Sequence, residues 1–457
     1  MIKNKFKIFT AVIASIICMG AGMIMGAQSN AAAKNNPNSN VEGWNISTPE
    51  TIKVPGSAFT YNIYPSTDKK NAWIYHIDVD PNMDYSTLNI PQIINGMTVT
   101  RLGWVYVPSK NDDFPDTNEF NQTIFGAIVE QCHGVSGNYI PLGDNINNRT
   151  YIDMSVSSIT IPNTVTQLQE STFSGTVNLK EVTIPDGVSV IPAELFYGCS
   201  SLESVKLPKA LNSIDPSAFT DCHKLRNMEL SNECNTFKIM NKSIVNKNDM
   251  SLVYCYASGD KYNIPKGIKI LKTFSFTNCT AKNVHIPASV KNIEQKAFHR
   301  SNGYSSRNIS NMTVSKKNKV YAKDGQTIYN KKNKTLAVAI VIGKPDKTKY
   351  VMSNKVKKLT ICQSTINMDE WEEGIENLYV SKNLKKVGFR GFGVVFNAKN
   401  VYYTSKKVPK LLKTDETWAP LPIFTHIHVP KEANAEYKKL YKKYHCLGDI
   451  YGEWDTY

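Results

Sequence analysis

Apolar residues recur along this chain with a period far longer than a helical turn or a strand alternation. Apolar-proline pairs stand at Ile161-Pro162, Ile184-Pro185, Leu207-Pro208, Ile264-Pro265 and Ile286-Pro287, at steps of 23, 23, 57 and 22 residues. Leu230-Ser231, 23 residues after Leu207-Pro208, divides the long step and leaves a unit of 34. Eleven residues after each proline comes a phenylalanine: Phe173, Phe196, Phe219, Phe276 and Phe298. Apolar residues also hold the third and sixth places after the proline, as Val165 and Leu168, Val188 and Ile191, Leu211 and Ile214, Ile268 and Leu271, and Val290 and Ile293. Upstream the pattern is apolar at −6, −3 and −1, as in Leu179, Val182 and Ile184. Chance does not keep six columns in phase through five copies.

This pattern predicts a repeat solenoid. Each copy gives a short strand, stopped by a proline that cannot donate to a ladder, then a turn that returns a phenylalanine to the core. One coil cannot bury its apolar edge alone, so neighbours stack about 4.8 Å apart along parallel strands. A period of this length is that of a leucine-rich repeat. Weaker matches carry the phase on through Val314-Ser315, Met352-Ser353, Val380-Ser381, Tyr403-Thr404 and Val429-Pro430, the third supported by Leu384, Val387 and Phe392. Ile90-Pro91 reads as the first coil, and 104–154 as an irregular insertion.

Two longer units resemble each other at an offset of 84 residues: Ser243 to Tyr254 and Thr327 to Val338. Alternating strand residues around an Asn/Lys/Asp turn predict a β-hairpin jutting from each, at about 234–262 and 318–350. At the C-terminus Tyr437, Leu440, Tyr441 and Tyr444 share one helical face, which predicts a capping helix within 431–457.

The first residues follow a different rule. Lys3, Lys5 and Lys7 precede an apolar run from Ile8 to Met25 and small residues ending Ala31-Ala32-Ala33. That order is a secretory leader over 1–33, cut after Ala33 or Ala27; the alternative is an uncleaved anchor. Ile16 and Ile17 before Cys18 do not fit a lipidation site. Residues 34–87 are then expected to form a β-rich capping region and 88–430 the solenoid. No later segment is apolar enough to span a membrane.

The 457 residues are 41% hydrophobic and 20% charged, enough to bury a long core. Losing the leader lysines lowers the formal charge from +15 to +12. That favours polyanions such as an anionic wall polymer, although solvated loops also account for short lysine runs. Nine cysteines include no C-x-x-C pair, so neither a zinc ribbon nor a redox motif is indicated.

The residues from Ile184-Pro185 to Leu207-Pro208, with Cys199 and Leu202, read I-P-x-x-V-x-x-I-x-x-x-x-F-x-x-C-x-x-L-x-x-V-x-L-P. This resembles the BspA-like class of bacterial leucine-rich repeats. Leu88 to Pro91 with Ile94-Asn95-Gly96 and Val99 is similar to that family's opening coil, and Ile427 to Lys431 with Ala435 and Tyr437 to its closing strand and helix. The resemblance covers roughly 88–450. It implies an exported or surface protein, adhesive in several relatives, with no shared catalytic residues and no cofactor.

Candidate chemistry is sparse. Cys199, Cys222 and Cys279 each follow the repeat phenylalanine by three, which their place in the turn already explains, and reduced thiols are expected. Cys132-His133 has no supporting constellation for a nucleophile and base. His426 and His428 alternate on one strand and face the same way, but no third metal ligand is evident. The outward −2 column ends in Tyr379, Tyr402 and His428, with His285 earlier in the same column. Together with His426 these form the candidate ligand-binding surface, since aromatics on a rigid sheet suit stacking on sugars or gripping protein side chains. The alternative is plain β-propensity on a solvated face. The expected function is non-enzymatic adhesion or recognition of a host or bacterial surface protein or glycan by a secreted or loosely surface-associated protein. The runner-up is a basic wall-associated structural protein; a secreted hydrolase or inhibitor has no supporting constellation.

Overall fold

The computed structural model describes residues 42–46, 48–80, 82–103, 156–299, 309–340, 348–359, 364–366, 375–388, 398–412, 426–444 and 454–456. The leader, the 104–154 insertion with Cys132-His133, and Phe392 lie outside them.

Most coils contribute one strand ahead of the proline position and a second, two-residue to three-residue strand after it, while the coil ending at Val429-Pro430 passes into the C-terminal helix. The first strands form parallel ladders. Leu88 lies opposite Ile159, Val182 opposite Val205, and Val205 opposite Met228. Further along, Tyr262, Val284 and Met312 align, then Tyr350, Leu378, Val401 and Ile427. Every one of these central residues is buried, while neighbours in sequence face outward. The period of two required by a strand therefore sits inside the longer period of the coil.

The turn is the same where proline is missing. Val165, Val188 and Leu211 amides donate to the carbonyls of Pro162, Pro185 and Pro208 at 3.0, 3.0 and 3.3 Å. Val356 and Leu384 make the same bond to Ser353 and Ser381, at 3.0 and 3.1 Å. There the serine hydroxyls accept from the amides of Lys355 and Asn383, at 3.0 and 3.2 Å. A serine thus stabilises by hydrogen bonding the turn that proline stabilises by fixing φ.

Phenylalanines line the interior. The rings of Phe173, Phe196 and Phe219 stack with centroids 5.5 Å apart at each step, and all three are fully buried. Tyr254 continues the line 5.7 Å from Phe219, and Phe276 lies 4.4 Å from Phe298.

Both long units are antiparallel hairpins, Ser243–Asn246 with Ser251–Cys255 and Thr327–Asn330 with Leu336–Ile340. They are built into the stack rather than jutting from it. Ser251–Cys255 pairs in parallel with Ile270–Leu271, and Ile244, Val245, Leu252 and Tyr254 are all fully buried.

At the N-terminal end Glu50–Lys53, Phe59–Pro65 and Asn71–Val79 form an antiparallel sheet. Asn71–Val79 also pairs in parallel with Met97–Leu102, which continues onto Gln167–Leu168. The ladder thereby crosses the insertion without a break. At the other end the helix Asn434–Tyr444 seats Tyr437, fully buried, 4.6 Å from the Tyr403 ring, its hydroxyl donating to the Ser405 carbonyl at 3.0 Å. The side chains of Leu440, Tyr441 and Tyr444 lie outside the described residues. A strand not read from the sequence, Trp454–Thr456, pairs with His426–Val429 and extends the last ladder. Among the described residues no helix is long and apolar enough to cross a membrane.

Candidate functional site

The C-terminal ladder joins Lys349–Val351, Ile375–Val380, Ala398–Tyr403 and His426–Val429. Buried Leu378, Val380, Val401, Tyr403, Ile427 and Val429 hold these strands to the core. That alternation turns two rows outward. One reads Lys349, Asn377, Asn400 and His426; the other reads Val351, Tyr379, Tyr402 and His428.

In the second row the rings close up. Tyr379 and Tyr402 stack with centroids 4.6 Å apart and planes 9° from parallel; Tyr402 and His428 do so at 4.2 Å and 8°. These separations match the spacing of adjacent strands, so the register itself generates the stack. The Lys349 ammonium lies over the Tyr379 ring, 4.7 Å from its centroid. His428 Nε2 and Asn400 Oδ1 are 3.3 Å apart, tying the two rows together, and the Asn400 amide donates to the Glu376 carbonyl at 3.1 Å. All three rings are half-buried.

Of the five residues assigned to this surface from sequence, Tyr379, Tyr402 and His428 meet in one stack and His426 stands beside it in the neighbouring row. His285 does not join them. It belongs to a separate ladder between Asn263 and Thr313, where its Nδ1 is 2.8 Å from Thr313 Oγ1. Lys349 and Asn400 were missed; the −4 column, which holds both, was the signal that would have found them.

The stack also changes what the aromatics can do chemically. Ring faces that looked open in the sequence are covered by one another and, at one end, by an ammonium.

The thiol column is packing. Cys199, Cys222 and Cys279 are free and buried. Cys199 and Cys222 Sγ donate to the Phe173 and Phe196 carbonyls one coil back, at 3.2 and 3.1 Å. Burial pushes the Cys199 thiol up to about 12 and raises Cys222 as well. Among the described residues no group of three or more His, Cys, Asp and Glu side chains gathers where a metal ion could be held.

A family model described as a BspA type leucine rich repeat region matches 144–248 and 250–332, in six copies. Solved structures similar to this chain include a leucine-rich repeat protein from Eubacterium ventriosum, at 18% identity and a TM-score of 0.31, covering 55% of this chain and 66% of that one. Another is a leucine rich cell surface protein from Faecalibacterium prausnitzii, at 15% identity and a TM-score of 0.35, covering 78% and 96%. A third is the pneumococcal vaccine antigen PcpA, at 14% identity and a TM-score of 0.30, covering 89% and 98%. No curated protein matches the chain.

Proposed function

This chain carries BspA-type leucine-rich repeats, and from that premise we propose that it is an exported, non-enzymatic recognition protein. It is released or loosely held at the bacterial surface, and it acts in adhesion through the outward face of its C-terminal ladder. One observation carries this reading: the stack of Tyr379, Tyr402 and His428 on a rigid parallel sheet. Side chains already held in one rotamer by their neighbours lose little entropy on binding, which is the property of an interface anchor.

The covered ring faces favour a protein partner over a sugar. A pyranose stacks on an open ring face, whereas a protein surface can pack against the ring edges along the rim of the stack with its own side chains. The test is binding of residues 34–457 to a panel of extracellular-matrix proteins and mucosal glycans. For any partner found, the double variant Tyr379→Ala/Tyr402→Ala is expected to weaken affinity at least thirtyfold, the ratio that corresponds to a hot spot of about 2 kcal/mol. Unchanged affinity in that variant would remove the aromatic face from the mechanism.

A further inference from the structure

The second strands of the last coils form a sheet of their own, made of Lys358–Leu359, Lys386–Gly388 and Lys410–Leu412. In it Lys358 lies opposite Lys386, and Lys386 opposite Lys410. The preceding residues continue the theme. The Lys357 amide donates to the Lys334 carbonyl at 2.9 Å, Lys385 to Lys357 at 2.8 Å, and Lys410 to Lys385 at 2.8 Å. Lys357, Lys385, Lys386 and Lys410 are exposed, and Lys358 is half-buried.

The segments 353–359, 381–387 and 404–411 together hold nine lysines and no Asp, Glu, Arg or aromatic residue. Among the described residues, Lys406 of these nine is ion-paired, to Glu432 at 3.0 Å. Like charges directly opposite one another in a sheet are destabilising. Strand formation does not demand them either, because earlier coils place Gln167, Val190, Ser213, Ile270 and Asn292 at the equivalent position. A column that the fold does not need and that costs stability calls for a counter-charge from outside.

We propose that this lysine column binds a linear, base-free alditol phosphate polymer lying along the stack, across the strands. Parallel strands repeat at about 4.8 Å, so ammonium groups recur at a spacing that a flexible phosphodiester chain can follow. Lysine binds phosphate as a point charge without fixing its orientation, whereas bidentate recognition of a planar carboxylate is the work of arginine. Within these described segments no aromatic ring stands among the lysines for a nucleobase to stack on. This site is separate from the tyrosine row and does not depend on it.

The probe is a synthetic glycerol-phosphate 12-mer, titrated into residues 34–457 at several salt concentrations. With five lysines engaged, log K against log salt should fall with a slope of about −3.5. Lys358→Gln/Lys386→Gln/Lys410→Gln should weaken binding at least tenfold at low salt and flatten the slope by about 2. Removing the same charge from earlier coils, in Lys180→Gln/Lys209→Gln/Lys224→Gln, should change affinity less than twofold. Acylation footprinting of the unaltered protein gives a second reading: the polymer should protect Lys358, Lys386 and Lys410. Equal losses in the two triple variants, tighter binding of single-stranded DNA of matched charge, or no protection would each overturn the proposal.

Discussion

Replacing Phe196 by Ala takes the middle ring out of the stacked line that runs from Phe173 to Phe219. The side chain is fully buried, with a ring 5.5 Å away on either side. Truncating a buried phenylalanine generally costs about 3–5 kcal/mol, depending on how far the site can collapse. Collapse is restricted here, because the Phe173 amide is held to the Leu195 carbonyl at 3.0 Å and the Phe196 amide to the Ala218 carbonyl at 2.7 Å. The expected loss therefore lies near the top of that range, about 4–5 kcal/mol. Phe196→Leu keeps most of the volume and forfeits two ring contacts, for about 1–2 kcal/mol. Because repeat arrays need not unfold as one unit, the assay is hydrogen exchange read coil by coil alongside urea unfolding. Protection should fall first between Val165 and Leu225 and persist in the C-terminal ladder. A cost below about 2 kcal/mol for the alanine variant, or a loss spread evenly along the chain, would refute the reasoning.

Other perturbations test separate features. Burial pushes the His299 imidazole down to about 3, with Lys296 adding to the effect, so the folded chain holds it neutral where the unfolded chain takes up a proton. Its contribution is fully present above about pH 6.5 and is lost as the pH falls toward 3; between pH 7 and pH 4 the unaltered protein should lose about 2–3 kcal/mol more than His299→Gln in urea unfolding. Cys199 and Cys222 should resist a disulfide reagent at pH 8 in the native protein and react in urea, as mapped by peptide mass; rapid native labelling would contradict their burial. Gly103 has φ +102°, and a Cβ there would overlap Thr172 Oγ1 and sit 2.9 Å from Gln169 Cβ, while its carbonyl accepts from Trp73 Nε1 at 2.7 Å. Gly103→Ala should therefore cost more than about 2 kcal/mol in thermal unfolding.

The inward face of the coils was legible because it depends on two periods that the chain displays directly. The residues at −3 and −1, the apolar positions after the proline and the repeat phenylalanine are buried, in nearly every coil, where those periods put them. The outward row was legible for the same reason: alternation sends Tyr379, Tyr402 and His428 to one side. Substitutes were harder to see. Tyr254 takes the place of a phenylalanine 35 residues after Phe219, beyond the reach of a fixed period. Serine at 353 and 381 makes the proline turn by a hydrogen bond that no apolar pattern reports.

What the sequence by itself determined is the coil: its length, its buried columns and the side from which each strand residue projects. These are local properties, set by backbone geometry and the removal of apolar side chains from water. Only the tertiary structure decided which coils meet across an interruption and in what register. Thr160 reaches Asn89 over the insertion, while the His285 row ends at Thr313 instead of joining the tyrosines. Neighbours in the stack are fixed by the path of the intervening chain and by interstrand hydrogen bonds. Two rings 23 residues apart become a stacked pair, and two lysines become facing charges, only when those bonds set the register.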